Sequence, residues 1–127
     1  MKPRIHLLAP LFLSLLAACG GGGGTDNGSL QLALTADPTA PIVGKNTFYI
    51  DLHGKDGAPL QGATVKCSPW MPAHGHGSTE EPQVTDLGGG RYKAFPVTFF
   101  MIGDWELRAR ADGNGEFGTA TAAYSIQ

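Results

Sequence analysis

From Leu30 onward, apolar residues recur at every second position in short runs, and Gly, Pro, Asn or Asp cuts each run. Leu30, Leu32 and Leu34 alternate with Gln31, Ala33 and Thr35 before Asp37-Pro38. Phe48, Ile50 and Leu52 alternate with Tyr49, Asp51 and His53 before the turn Gly54-Lys55-Asp56-Gly57. Ala63, Val65 and Cys67 alternate with Thr64, Lys66 and Ser68. The cleanest run sets Trp105, Leu107, Ala109 and Ala111 against Glu106, Arg108 and Arg110, and Ala120, Ala122, Tyr124 and Ile126 end the chain. In a strand this period puts one set of side chains on a core face and the other in solvent.

The segments between the runs carry turn chemistry: Gly88-Gly89-Gly90, Gly103-Asp104 and Asp112-Gly113-Asn114-Gly115. The last predicts a hairpin joining the final two strands. No stretch after the N-terminal segment keeps apolar residues at helical spacing for three turns. About seven short strands over residues 30–127 predict an all-β, immunoglobulin-like sandwich. The Cys–Trp–Cys pattern of antibody domains is absent, so the expectation concerns architecture alone.

The first nineteen residues read differently. Lys2 and Arg4 precede a mostly apolar run from Ile5 to Leu16, and Leu16-Ala17-Ala18 leads into Cys19. Charged, apolar and small residues in that order make a secretory signal peptide over residues 1–18, too short and wrongly flanked for a membrane span. Leu-Ala-Ala-Cys resembles the bacterial lipobox, which implies cleavage before Cys19 and diacylation of its thiol. Two acyl chains anchor stably where one does not. Residues 19–29 hold Gly20 to Gly24 and read as a flexible tether. Gly20, where Asp implies inner-membrane retention, leans toward the outer membrane on the periplasmic side.

Charge narrows the partners. Nine Lys/Arg become seven once Lys2 and Arg4 leave with the signal, against eleven Asp/Glu. The mature chain is mildly acidic and has no basic cluster, which argues against nucleic acid. If Cys19 carries lipid, Cys67 is left without a disulfide partner, and the core alone must hold the fold.

Chemistry concentrates in Trp70-Met71-Pro72-Ala73-His74-Gly75-His76-Gly77-Ser78. A thioether suits soft Cu(I), and imidazole serves copper and zinc alike. His74 and His76 are two apart, so an extended segment would project both to one side, with Gly75 letting the backbone fold around an ion. Met71 has the opposite parity: it must come round through Pro72, or point into the core as packing material. Met101 shares the parity of Val97 and Phe99, and either approaches the loop or joins the core. Gly-His-Gly also fits a plain solvent turn. Cys67 would be a soft ligand as a thiolate, yet its parity puts it indoors as a small hydrophobe. His53 reads as surface, and Glu80-Glu81 would add cation attraction beside the loop.

Gly90-Arg91-Tyr92, then Phe99-Phe100-Met101-Ile102-Gly103-Asp104-Trp105-Glu106-Leu107, and the Met-Pro-x-His-Gly-His loop together resemble the YtkA-like domain, a small sandwich related to FixH. The resemblance spans Leu30 to Ile126. It implies Tyr92 and Trp105 as core anchors, turns at Gly90 and Gly103, and a setting in bacterial lipoproteins near copper-handling or cytochrome oxidase assembly proteins. Unlike FixH proper, the sequence offers no transmembrane helix. The expected function is a membrane-anchored periplasmic domain binding copper through His74, His76, Met71 and Met101. The alternative is an adaptor that docks an envelope protein without metal. No nucleophile elbow, HExxH pair or phosphate-cradling loop is present, so no enzymatic activity is expected.

Overall fold

The alternation becomes two antiparallel sheets in the computed structural model, which describes residues 27–127. In chain order the strands are β1 (Asn27–Gly28), β2 (Gln31–Asp37), β3 (Gly44–His53), β4 (Thr64–Met71), β5 (His76–Gly77), β6 (Gln83–Asp86), β7 (Arg91–Phe99), β8 (Gly103–Gly113) and β9 (Glu116–Ile126). One sheet runs β1-β9-β8-β4-β5 and the other β2-β3-β7-β6. Setting aside the two-residue β1 and β5, seven strands make the sandwich, as the pattern predicts. The signal peptide and Cys19 lie outside the described residues. Of the tether, Asn27 and Gly28 already pair with Thr119 and Gly118, so the sandwich begins ahead of Leu30.

Burial follows the alternation. Leu30, Phe48, Ile50, Leu52, Trp105, Leu107 and Ala111 are buried, as are Val65, Cys67 and Met71 along β4. The two layers interdigitate around an aromatic cluster in which Phe99 meets Trp105 at 5.4 Å and Phe48 meets Tyr124 at 5.3 Å between ring centroids. Tyr92 is an anchor with a polar end. Its hydroxyl donates to the Leu60 carbonyl at 2.9 Å and accepts from the Ala63 amide at 3.0 Å, fastening the β3–β4 connection to the core.

The β8–β9 hairpin turns on Asn114-Gly115, both with positive φ (52° and 72°), between the paired Gly113 and Glu116. Two left-handed residues match the strand twist, which explains Asn-Gly at this position. In β7, Pro96 has no amide to give the ladder, and the register slips there: Asn46 faces Val97 while Phe48 faces Ala94. The extra residue changes the parity. Tyr92 and Ala94 face inward before it, and Val97 and Phe99 face inward after it. Asn46 is buried beside this bulge, and its amide bonds the Ile42 amide and carbonyl, each at 2.9 Å, and the Gly44 carbonyl at 3.1 Å. A buried amide with its partners in place holds the start of β3 where the candidate site begins.

Candidate functional site

One end of the sandwich gathers the β4–β5 turn, the β7–β8 crossing, the start of β3 and the end of β9. After Met71 the chain turns through Pro72–Gly75 and returns as β5, pairing Met71 with His76 and Trp70 with Gly77. The Met71 carbonyl accepts from the amides of His74 (3.2 Å) and Gly75 (3.0 Å), and Gly75 takes φ +64°, which closes the turn. Only Gly adopts that conformation without a Cβ penalty.

This hairpin alters the parity argument for the loop. Counting along an extended segment sets Met71 and His76 on opposite faces. Directly opposed residues in an antiparallel pair instead share a face. Met71 does point into the core, and His76 is folded back across from it. His74 and His76 are therefore not two teeth of one extended strand: His74 sits exposed in the turn, and His76 is half-buried in β5. Their rings still lie 5.4 Å apart between centroids.

His76 is walled by aromatic rings. Phe100 stacks on it at 5.4 Å with planes 28° apart, and Trp105 meets it edge-on at 6.2 Å. Phe100 also packs against Trp105 at 5.2 Å. The Trp105 indole N–H is committed to the Met101 carbonyl at 3.1 Å, which pins the crossing to β8. Gly103 stands at φ +133°, and a Cβ there would collide with Cε of Met71. The β7–β8 turn thus passes directly over the Met71 thioether. Met101 itself is partly buried against the core.

One polar atom stands out in this setting: His76 Nδ1 is buried and has no hydrogen-bond partner. A buried polar atom without a partner costs about 1–3 kcal/mol, and native structures keep few of them. Among the described residues no group of three or more His, Cys, Asp or Glu side chains gathers as a metal cluster. A metal held here would therefore draw on thioether donors beside the two imidazoles. With ring centroids about 1.2 Å from their nitrogens and metal–nitrogen bonds near 2.0 Å, two imidazoles on one ion keep their centroids within about 6 Å. The observed 5.4 Å falls inside that reach. The orphaned Nδ1, the imidazole spacing and the adjoining Met71 fit a soft ion.

The neighbouring groups have other duties. Glu80 accepts from the Thr98 hydroxyl at 2.8 Å and pairs with Lys45 at 3.4 Å, and the Thr98 bond, then Lys45, holds its carboxyl below the usual range. Its charge is spent fastening the loop to β7. Cys67 is buried, and desolvation pushes its thiol up to about 12, so it lacks the thiolate a ligand needs. His53 ends β3 at the far end of the sandwich.

Sequence reasoning missed the Phe100–Trp105 wall and the return of His76 beside Met71. The signal for the return was Gly75, four residues past the end of β4. A rim of exposed apolar side chains was also missed: Ile42, Val43, Phe100 and Ile102 are 43–65% exposed around this end.

A family model described as YtkA-like matches residues 26–110, well over half of the chain and including the turn, the crossing and most of β8. No curated protein and no solved structure matches the chain.

Proposed function

This chain belongs to the YtkA-like family, and from that membership we propose a lipid-anchored domain of the cell envelope that binds copper and holds it for transfer. The observation that carries the reading is the orphaned Nδ1 of His76, on the strand folded back against Met71. His74, His76 and Met71 supply the donors, and Met101 joins them if its thioether turns out of the core. Copper is cargo here, and the chain's part is to bind it, shield it and release it.

The anchor reading fits the same geometry. β1 joins β9 at Gly118, beside the Asn114-Gly115 hairpin, whereas Ile126 at the other end of β9 faces Gly103. Eight strand residues, about 27 Å at roughly 3.4 Å each, separate the tethered end from the Met/His end. A lipid on Cys19 would then attach the domain through the end opposite its candidate site.

Titrating residues 20–127, which retain the whole sandwich, with copper beside a His74→Ala/His76→Ala variant tests this. The reading requires micromolar or tighter binding that the double variant loses. Equal binding by both forms contradicts it.

A second reading has an observation of its own. Ile42, Val43, Phe100 and Ile102 form an exposed apolar rim, and such patches mark contact surfaces. The domain would then be an adaptor that docks an envelope protein at this end. It requires a partner that survives chelation and is lost on Ile42→Ser/Ile102→Ser.

A further inference from the structure

The two imidazoles differ, and the difference bears on which ion the site takes. His74 stands exposed in the turn, where solvent and any exchanging ligand reach it. His76 is half-buried with its Nδ1 buried, and its neighbours are Met71 across the hairpin, Phe100 stacked on the ring and Trp105 edge-to-ring at 6.2 Å. The acidic group nearest in sequence, Glu80, is occupied by Thr98 and Lys45.

Resting on the copper reading, we propose that the site selects Cu(I) over Cu(II) and Zn(II). The Met71 thioether and His76 Nδ1 retain the ion against Trp105, and His74 is the outer ligand through which it arrives and leaves. Two physical grounds favour Cu(I). A thioether is a soft donor that adds little to a divalent borderline ion but binds Cu(I) well, whereas Cu(II) favours tetragonal N/O donors and Zn(II) four ligands. Stripping water from a monovalent ion costs less than from a divalent one, so the half-buried surroundings of His76 disfavour M(II). Trp105 is fixed beside the imidazole by its N–H bond to the Met101 carbonyl, which makes it a reporter of an ion bound there.

The chain has two tryptophans. Trp70 lies half-buried under the Arg108 guanidinium at 5.1 Å, so Trp70→Phe leaves Trp105 as the single reporter. In that background, anaerobic Cu(I) added to residues 20–127 should quench Trp105 emission at one equivalent. Competition against a chromogenic Cu(I) chelator gives the affinity, and matched Cu(II) and Zn(II) titrations give the selectivity. Met71→Leu keeps the buried volume and should lower Cu(I) affinity on the order of a hundredfold, with Cu(II) changed less than about threefold. His74→Ala should preserve the quench while slowing transfer to the chelator, and thermal melts of each variant confirm folding.

Cu(II) or Zn(II) bound as tightly as Cu(I), or a Met71→Leu variant with wild-type Cu(I) affinity, overturns the selectivity and leaves the copper reading standing. No binding in either oxidation state overturns both. A quench that survives His76→Phe overturns the assignment of Nδ1.

Discussion

Replacing His76 with Phe should stabilise the metal-free protein while abolishing its response to copper. The imidazole now buries Nδ1 without a partner, at a cost of about 1–3 kcal/mol. A phenyl ring removes that atom and keeps both aromatic contacts, the 5.4 Å stack on Phe100 and the 6.2 Å edge to Trp105. Its extra volume lies at a half-exposed edge of the sandwich, where overpacking is milder than in a closed core. Allowing for some crowding, the gain should be about 1 kcal/mol. For a domain of this size that is a rise in Tm of roughly 4–8 °C. Urea unfolding followed by Trp fluorescence should show a higher midpoint with an unchanged m-value. Stability exchanged against binding at one residue is the mark of a functional site. A His76→Phe protein destabilised by more than about 0.5 kcal/mol would mean that Nδ1 is satisfied in the folded protein and that the imidazole is not held at a cost.

Three further outcomes follow from the rest of the structure. Tyr92→Phe strands the Leu60 carbonyl and the Ala63 amide, and should cost about 1–3 kcal/mol in urea unfolding; a loss under about 0.5 kcal/mol would mean water replaces the hydroxyl. Cys67, buried with its thiol raised to about 12, should resist iodoacetamide in the native state near pH 8 and react only on unfolding; labelling at the rate of a free thiol would contradict the burial. Asp86 accepts from the Gly62 and Gly88 amides, each at 2.8 Å, which lowers its pKa. A carboxylate depressed in the folded state contributes stability above its unfolded pKa of about 3.9 and loses it as pH falls through the folded value. Asp86→Asn should therefore flatten the midpoint-versus-pH curve below about pH 4, and parallel curves for the two proteins would contradict the assignment.

The core was legible because strand burial depends on local alternation. Trp105, Leu107, Ala109 and Ala111 face inward where the pattern puts them, and Asn114-Gly115 makes the turn its residues demand. Alternation stops informing where the chain leaves a strand. At Pro96 a bulge resets the parity, so Tyr92 and Phe99 both reach the core although seven residues separate them. At Pro72–Gly75 the hairpin turns His76 back beside Met71, and a count along one strand cannot anticipate a cross-strand partner. The Phe100–Trp105 wall arises from the crossing of two sheets, a tertiary contact with no periodic signature. The residue types of the candidate site were readable, whereas their grouping was set by the turn and the crossing.

In the proposed copper site the hairpin brings a thioether and an imidazole from its two strands to one ion. X-ray absorption at the copper edge of the Cu(I)-loaded protein tests it most directly. The expected result is a mixed shell, with sulfur at ~2.3 Å and nitrogen at ~2.0 Å, and loss of the sulfur scatterer in Met71→Leu. A shell of nitrogen and oxygen alone, or a sulfur that persists in that variant, would contradict it.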